Sequence, residues 1–537
     1  MGIRAAVLNP WLGFCLAAAA LIYLPRLGTP LIWDDRPTIV FNADLDKDIP
    51  LSVFLSPAYF NFSREETWRP AATLSYYAMI RTAGKNSFAL RSLMLLLHCV
   101  NACLLAFFLR SAGLTQASAA AAALFFAHPA HIETLMCVSF NEEILAALGI
   151  LTMLIAHQRR RFALAAAGLA LAVLSKETGL MGLPLTALYD WLVSKNLKRN
   201  RGAFVLYAAV ACAYLWTRFI ALPGPGAVSG LSQFVPATHR AFFAAQGLLV
   251  AARVFLIPAF LRIEYFALPP ATRAAWLASI LAAASGAALL LAAARKFYRT
   301  RKELFFFLLW PLPFLALTCN LVPTGVLSLR LMAERWLYLP SLGAAALVAA
   351  LLASRPKWII ALLLFWTTLG WGRMRDWKSE TRLWESLVEI YPWCAKAHEG
   401  LGQARFRAGN YPEALDSFSQ SRDLRDHRQD LVLAYYAPMT HEIGWESASL
   451  YRWLGLTDLE LGKPRASEEM FVKAVALEPS DGFSYRVLAY LTAARKDFPS
   501  AQAWLDKGLR HDPNDYFLLK LKPDVVKKKL SFQARFS

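Results

Sequence analysis

The stretch FALRSLMLLLHCVNACLLAFFLR, residues 88–110, is a nearly unbroken apolar run. An α-helix of about 20 residues rises roughly 30 Å, the thickness of the hydrocarbon layer of a bilayer. Working outward, similar runs lie near 9–25, 117–130, 142–157, 162–176, 178–193 and 203–221. Others follow near 273–293, 303–319, 336–352 and 358–372, with short charged breaks between. Beyond about Trp371 the chain turns polar and helical, with no further run of that length. The sequence therefore predicts an all-α protein: a polytopic helical membrane domain over 1–372, then a soluble helical domain.

Of the 537 residues, 57% are hydrophobic and 18% charged, and the formal net charge is +19. That charge does not indicate nucleic acid. Its clusters, HQRRR (157–161), SKNLKRNR (194–201), ARKFYRTRK (294–302) and ASRPK (353–357), sit in short loops between spans, where basic residues set orientation. All four are expected on the cytoplasmic side with Met1–Arg4, and the first run is read as a retained span, not a removed signal peptide. The first outer loop, 26–87, then faces outward. The segment AFFAAQGLLVAARVFLIPAFLR (241–262) breaks the alternation. It carries Arg253 and Pro258, which a lipid-facing span avoids, so it is read as re-entrant or packed on the outer side. Eleven crossings result, with the carboxy-terminal domain outside. A full crossing by 241–262 would make twelve and put that domain in the cytoplasm. The seven cysteines show no metal or disulfide spacing.

The polar part repeats. From Ala448, Tyr451, Leu454, Gly455, Phe471, Ala474 and Pro479 occupy tetratricopeptide (TPR) positions. Tyr485, Leu488, Ala489, Ala501 and Pro513 recur 34 residues later, and Leu401, Gly402, Ala414 and Phe418 form an earlier copy from Ala395. Small residues at these places let paired helices approach, and the prolines end the second helix of a pair. The repeats set a TPR α-solenoid over 373–515 and leave 516–537 as a basic tail. Such solenoids present a groove to a polypeptide; the plainer reading is a scaffold for the membrane domain.

The outer face collects the reactive side chains. In RLGTPLIWDDRPTIVFNADL (26–45), Asp34 and Asp35 stand side by side at a membrane edge, where like charges repel and desolvation adds to the penalty. One is suited to accept a proton from an incoming hydroxyl, while the other orients it or binds a divalent cation. The competing readings are solvated loop carboxylates or an N-cap for the following RPTIV. FFAHPAHIET (125–134) supplies His128, His131 and Glu133, suited to a metal, a phosphate or a sugar hydroxyl, or simply a satisfied histidine pair. LSKETG (174–179) places Lys176 and Glu177 between apolar runs, either a structural pair or a phosphate neutraliser. Arg69 in ETWRPAATLSYY (66–77), and Glu334 and Arg335 in LMAERWLYLPS (331–341), complete the set. The metal requirement stays open. Polar groups at the outer ends of spans fit a substrate with a phosphate and a lipid tail; a transporter concentrates them at mid-membrane.

These pieces, WDDRPTIVFNADL (33–45), WRPAATLSYY (68–77), LLLHCVNACLLAFFL (95–109), ALFFAHPAHIET (123–134), LAVLSKETGLM (171–181) and AERWLYLPSLG (333–343), occur in order. LWESLVEIYPWCAKAHEGLG (383–402) then leads into the repeats. Together they resemble the transmembrane-and-TPR-containing O-mannosyltransferases and their bacterial relatives, within the GT-C glycosyltransferases. The resemblance implies a polyprenyl-phosphate-linked sugar as donor and an exported protein hydroxyl, held by the TPRs, as acceptor. It assigns Asp34 and Asp35 as catalytic carboxylates, with Arg69, His128, His131, Glu133, Lys176, Glu177, Glu334 and Arg335 toward donor phosphate and sugar. One departure stands out: relatives tend to carry an arginine after the histidines, where this chain has Phe140-Asn141-Glu142-Glu143. Short outer loops and an alanine-rich membrane part suggest a bacterial inner membrane, with active site and TPRs on the periplasmic face. A transferase acting on a glycolipid or polysaccharide and a non-catalytic membrane-anchored TPR adaptor are the rival readings.

Overall fold

The structure is a computed structural model that describes residues 17, 21–65, 67–222, 237–266, 273–319, 330–430, 447–531 and 534. The chain divides into two compact units, Met1–Ser379 and Glu380–Ser537. Both are helical. The one strand pair among the described residues is short and antiparallel, Tyr265–Phe266 against Arg330–Met332.

The first unit is built around the Asn141–Gln158 helix, which packs on Phe162–Ser175 and on Ser87–Ser111. Close approach is written into the sequence as glycine. A Cβ on Gly149 would stand 2.6 Å from the Ala172 nitrogen and the Gly168 oxygen, so no side chain fits the crossing. Tyr338–Leu351 packs on Thr115–Ala127 through alanine-rich faces.

Four described helices are long and apolar enough to cross a membrane: Ser87–Ser111, Val138–Gln158, Arg201–Ala221 and Ile280–Thr300. Thr115–Ala127, Phe162–Ser175 and Ala244–Leu256 are apolar but shorter. Other expected spans are divided. Pro311 splits 303–319 into two helices, Lys302–Leu309 and Pro311–Thr318. Over 178–193 a 3-10 turn, the Gly182–Tyr189 helix and a π-turn follow one another. The segment 241–262 is helical to Leu256 and leaves the helix before Pro258. Most of the expected first span, 9–25, lies outside the described residues.

The stretch 26–87, expected as a loop, is an ordered cap of short helices ending in the Pro70–Ala83 helix. Buried polar groups hold it. Asn42 Nδ2 donates to the Phe62 carbonyl at 2.8 Å, Trp68 Nε1 to the Phe54 carbonyl at 2.8 Å, and the Tyr59 and Thr73 hydroxyls meet at 2.7 Å.

In the second unit three helix pairs stack: Ala395–Arg407 with Tyr411–Asp426, Ala448–Glu460 with Pro464–Leu477, and Gly482–Ala494 with Phe498–His511. The repeat glycines face the repeat phenylalanines. A Cβ on Gly402 would meet Phe418 Cδ1 at 2.6 Å, and one on Gly455 would meet Phe471 Cε2 at 2.7 Å. Pro479 and Pro513 stand just past the ends of their helices. Residues 431–446, between the first two copies, lie outside the described residues. The stretch expected as a basic tail begins with a helix, Tyr516–Val526, whose Leu518, Leu521 and Val525 are buried in the core of this unit.

Candidate active site

Asp34 and Asp35 are set by the residue before them. Trp33 has a φ of 56°, a left-handed conformation that a bulky side chain adopts only when its surroundings enforce it. Its ring is clamped edge-on to Phe140 at 5.5 Å and against Trp377 at 6.2 Å. The two aspartates then meet different fates. Asp35 is fully buried, and it makes no side-chain cap on the RPTIV turn that follows it. It caps a turn a hundred residues downstream instead: Oδ2 accepts from Val138 N at 3.0 Å and Oδ1 from Ser139 N at 2.8 Å. Asp34 is half-exposed, and its charge acts on the Arg335 guanidinium.

A residue that sequence reasoning missed holds this arrangement. Arg91, fully buried, donates to the carbonyls of Leu27 at 3.2 Å, Pro30 at 2.9 Å and Met136 at 2.9 Å, and to Thr29. It thereby ties the chain leading into the aspartates to the chain leading into their cap. Its partners are backbone carbonyls, which leave no mark in a sequence. The available signal was an arginine inside an apolar run.

Arg335 lies within electrostatic reach of Asp34. Its guanidinium stacks over Phe140 at 4.3 Å and Trp33 at 5.6 Å, and it pairs with Glu133, whose Oε2 also accepts from Arg335 N at 3.0 Å. Glu334 turns the other way, accepting from Tyr265 OH at 3.1 Å, Arg262 N and Arg373 Nη2 at 3.4 Å. Tyr265 and Arg373 were not anticipated either.

Arg69, Lys176 and Glu177 form a second cluster with the Glu142-Glu143 pair. Arg69 chelates Glu177 through Nε at 3.1 Å and Nη2 at 2.8 Å, and also binds Glu142. Lys176 Nζ bridges Glu142 at 2.7 Å and Glu143 at 2.5 Å, while Arg218 lies 3.9 Å from Glu177. Three cations thus share three carboxylates, and the positive charge of Arg69 and Lys176 is already neutralised. The segment 137–143 joins the clusters, capped by Asp35 at one end and bearing the two glutamates at the other.

His128 and His131 are buried rather than presented. His128 Nε2 bonds the Phe255 carbonyl at 3.0 Å and its ring stacks on Phe255. His131 Nε2 bonds Ser341 Oγ at 2.9 Å among Phe125, Tyr338 and His98. Among the described residues no group of three or more His, Cys, Asp and Glu side chains converges as a metal site, and both Asp35 oxygens face N–H donors.

No family model matches the chain. Three curated relatives do. Protein O-mannosyl-transferase Tmtc2 of Drosophila melanogaster is 30% identical over 242 residues, which is 40% of this chain and 25% of that protein. Protein O-mannosyl-transferase F38B6.6 of Caenorhabditis elegans is 23% identical over 419 residues, 72% of this chain and 59% of that protein. Tmtc1 of Drosophila melanogaster, also named a protein O-mannosyl-transferase, is 27% identical over 191 residues, 33% and 22% of the two chains. The matched region spans less than two thirds of each relative. Among solved structures, the APC/C hetero-tetramer Cut9-Hcn1 aligns over 91% of this chain and 99% of its own at 12% identity. Its TM-score of 0.23 is too low to assign a fold. By sequence, the curated relatives of this chain are protein O-mannosyl-transferases of the TMTC family, at 23% to 30% identity.

Proposed function

We propose that the chain is an integral-membrane GT-C-type glycosyltransferase that moves a sugar from a polyprenyl-phosphate donor to Ser or Thr hydroxyls of exported proteins. The observation that carries this reading is the unequal aspartate pair: Asp35 is bound on both oxygens by backbone N–H groups, while Asp34 stands half-exposed within electrostatic reach of Arg335. A hydroxyl is a poor nucleophile until its proton is taken, and a carboxylate held in place does that. Asp34 accepts the proton as the hydroxyl oxygen attacks the anomeric carbon. The bond from that carbon to the phosphate oxygen breaks, and the phosphate departs on its lipid with the bonding electrons. Attack opposite the leaving group inverts the anomeric carbon. Asp35 acts through position, fixing the loop to the 137–143 segment.

The relatives' names support a mannose-type sugar and a protein acceptor. Under the proposal the chain crosses the bilayer eleven times, with Asp34 and the TPR unit on the outward, lumenal or periplasmic, side. The repeats bind the acceptor polypeptide and raise its local concentration. The test supplies membrane vesicles with radiolabelled polyprenyl-phosphate sugars and follows label into protein. Label that requires Asp34 supports the proposal. Donor consumption without labelled protein would shift the acceptor to a glycolipid or polysaccharide, and an untouched donor panel would leave an adaptor.

A further inference from the structure

The helix Ala237–Leu256 packs inward through small residues: Ala244 and Ala251 are buried, and a Cβ on Gly247 would come within 3.1 Å of the Cys319 side chain. Toward its end it carries Arg253, half-buried in an otherwise apolar sequence. An arginine held so near hydrocarbon normally has a carboxylate for company. Four cations of the candidate site do: Arg69, Lys176, Arg335 and Arg373 each pair with one or more carboxylates, while Arg91 is held by backbone carbonyls. Arg253 has no such ion pair among the described residues. Its guanidinium lies 5.9 Å from the centre of the Tyr265 ring, and the Tyr265 hydroxyl donates to Glu334 at 3.1 Å.

Its position relative to Asp34 is short in side chains. Tyr265 leads to Glu334, the next residue is Arg335, and Arg335 is the cation that Asp34 acts on. The helix is also fixed at this level: His128 bonds the Phe255 carbonyl and stacks on the Phe255 ring, two residues beyond Arg253. Asp34 and Arg253 thus stand at the two ends of one run of neighbouring side chains, and Arg253 ends it without a carboxylate partner among the described residues. A lipid-linked sugar needs that order, with its anomeric carbon by the base and its charge and tail toward lipid.

We infer that Arg253 binds the phosphate of the lipid-linked donor and of the polyprenyl phosphate released from it. The inference rests on the function proposed above and adds the residue that receives the leaving group. Guanidinium suits the task because its planar fork donates two parallel hydrogen bonds to phosphate oxygens. The same phosphate chemistry is offered by ordinary phospholipid headgroups, to which an arginine near a helix end reaches by snorkelling.

The experiment uses the full chain in phosphatidylcholine nanodiscs and measures retention of radiolabelled polyprenyl phosphate, with phosphatidylglycerol as competitor. Retention is expected to weaken about tenfold or more in Arg253→Met, the scale of one lost charge-assisted contact, with Arg253→Lys intermediate. Asp34→Asn should bind as the native chain does while failing to transfer sugar. Native-like binding by Arg253→Met overturns the inference but leaves the transferase reading intact. Displacement by phosphatidylglycerol as effective as that by unlabelled polyprenyl phosphate also overturns it, assigning Arg253 to bulk lipid. A native chain that retains no polyprenyl phosphate overturns both. Should Arg253→Met fail to fold, as judged by its melting temperature, Arg253→Lys carries the same comparison.

Discussion

At the scale of single residues, two adjacent aspartates differ only in what lies across from them. Asp35 completes a turn through two backbone N–H groups, so Asp35→Asn presents an amide N–H to one of those donors and leaves it unsatisfied. Stability should fall by about 1–3 kcal/mol, the usual penalty for an unpaired buried polar group. Asp34→Asn breaks no such cap. With that cap intact the variant should still melt as a folded protein, while transfer falls about 100-fold or more, as for a lost general base. Thermal melting and label incorporation on the same two variants check both halves. Had the pair been solvated loop carboxylates, neither variant would move either quantity. None of this division was legible in the sequence: the dipeptide marks the spot, but the N–H donors that separate its members lie at 138 and 139.

Glu65 offers a second residue-scale test. One of its oxygens is buried without a partner and the other accepts from Tyr76 OH at 3.3 Å. Burial, opposed by Arg69 and aided by Glu142, pushes its pKa from 4.5 up to about 8. The folded protein therefore holds this proton where the unfolded chain has released it. The stabilisation is present in full below about pH 4.5 and is lost as the pH rises toward 8. Glu65→Gln should flatten that decline in a melting series across the window. A native slope that survives the substitution would assign the titration to another group.

At the scale of elements, the glycines separate close crossings from incidental ones. Gly149→Ala puts a methyl against the backbone of the Phe162–Ser175 helix and should destabilise by about 1–3 kcal/mol, as overpacking does. Gly202 makes the opposite case, since a Cβ there meets nothing within 4 Å and the residue sits at the start of the Arg201–Trp216 helix. Gly202→Ala should be neutral or stabilise by up to about 1 kcal/mol, from the helix propensity gained. The melting temperature should fall for Gly149→Ala and hold or rise for Gly202→Ala. Elements were the most legible level. The spacing of Gly455 and Phe471 marks a helix pair in the sequence itself, because paired helices need that small-to-large contact at a fixed distance along the chain. The divided spans were harder to foresee. Hydropathy runs on through Pro311 and through the turns at 177–181 and 190–194, so a window of apolar residues reads as one helix where the backbone makes two or three. The clusters at Arg69 and Lys176 were half legible. Their charges stood out against apolar neighbours, but pairing with Glu142 and Glu143 depends on how three separate segments fold back.

At the scale of the molecule, the chain joins two units with separate cores. In Glu380–Ser537, Phe418, Phe471, Leu488, Leu505, Leu518 and Leu521 are buried together, drawn from every helix pair and the last helix. A stack of repeats gains its stability from such neighbour contacts, so this unit should fold when produced alone, with helical circular dichroism and one cooperative melt. Under the proposed function its contribution to transfer is one of concentration, not chemistry. Holding the acceptor on the same chain raises encounter by about 100-fold or more without any new contact at the reacting atoms. Removing 380–537 should therefore leave transfer to a short Ser/Thr peptide near native while labelling of an unfolded polypeptide falls by that factor. Competition by the isolated repeat unit should reproduce the loss with the native chain, since it would capture the same polypeptide. If peptide and polypeptide transfer fall together on removal, the repeats support the structure of the first unit instead. If both survive, the acceptor is recognised by the first unit itself.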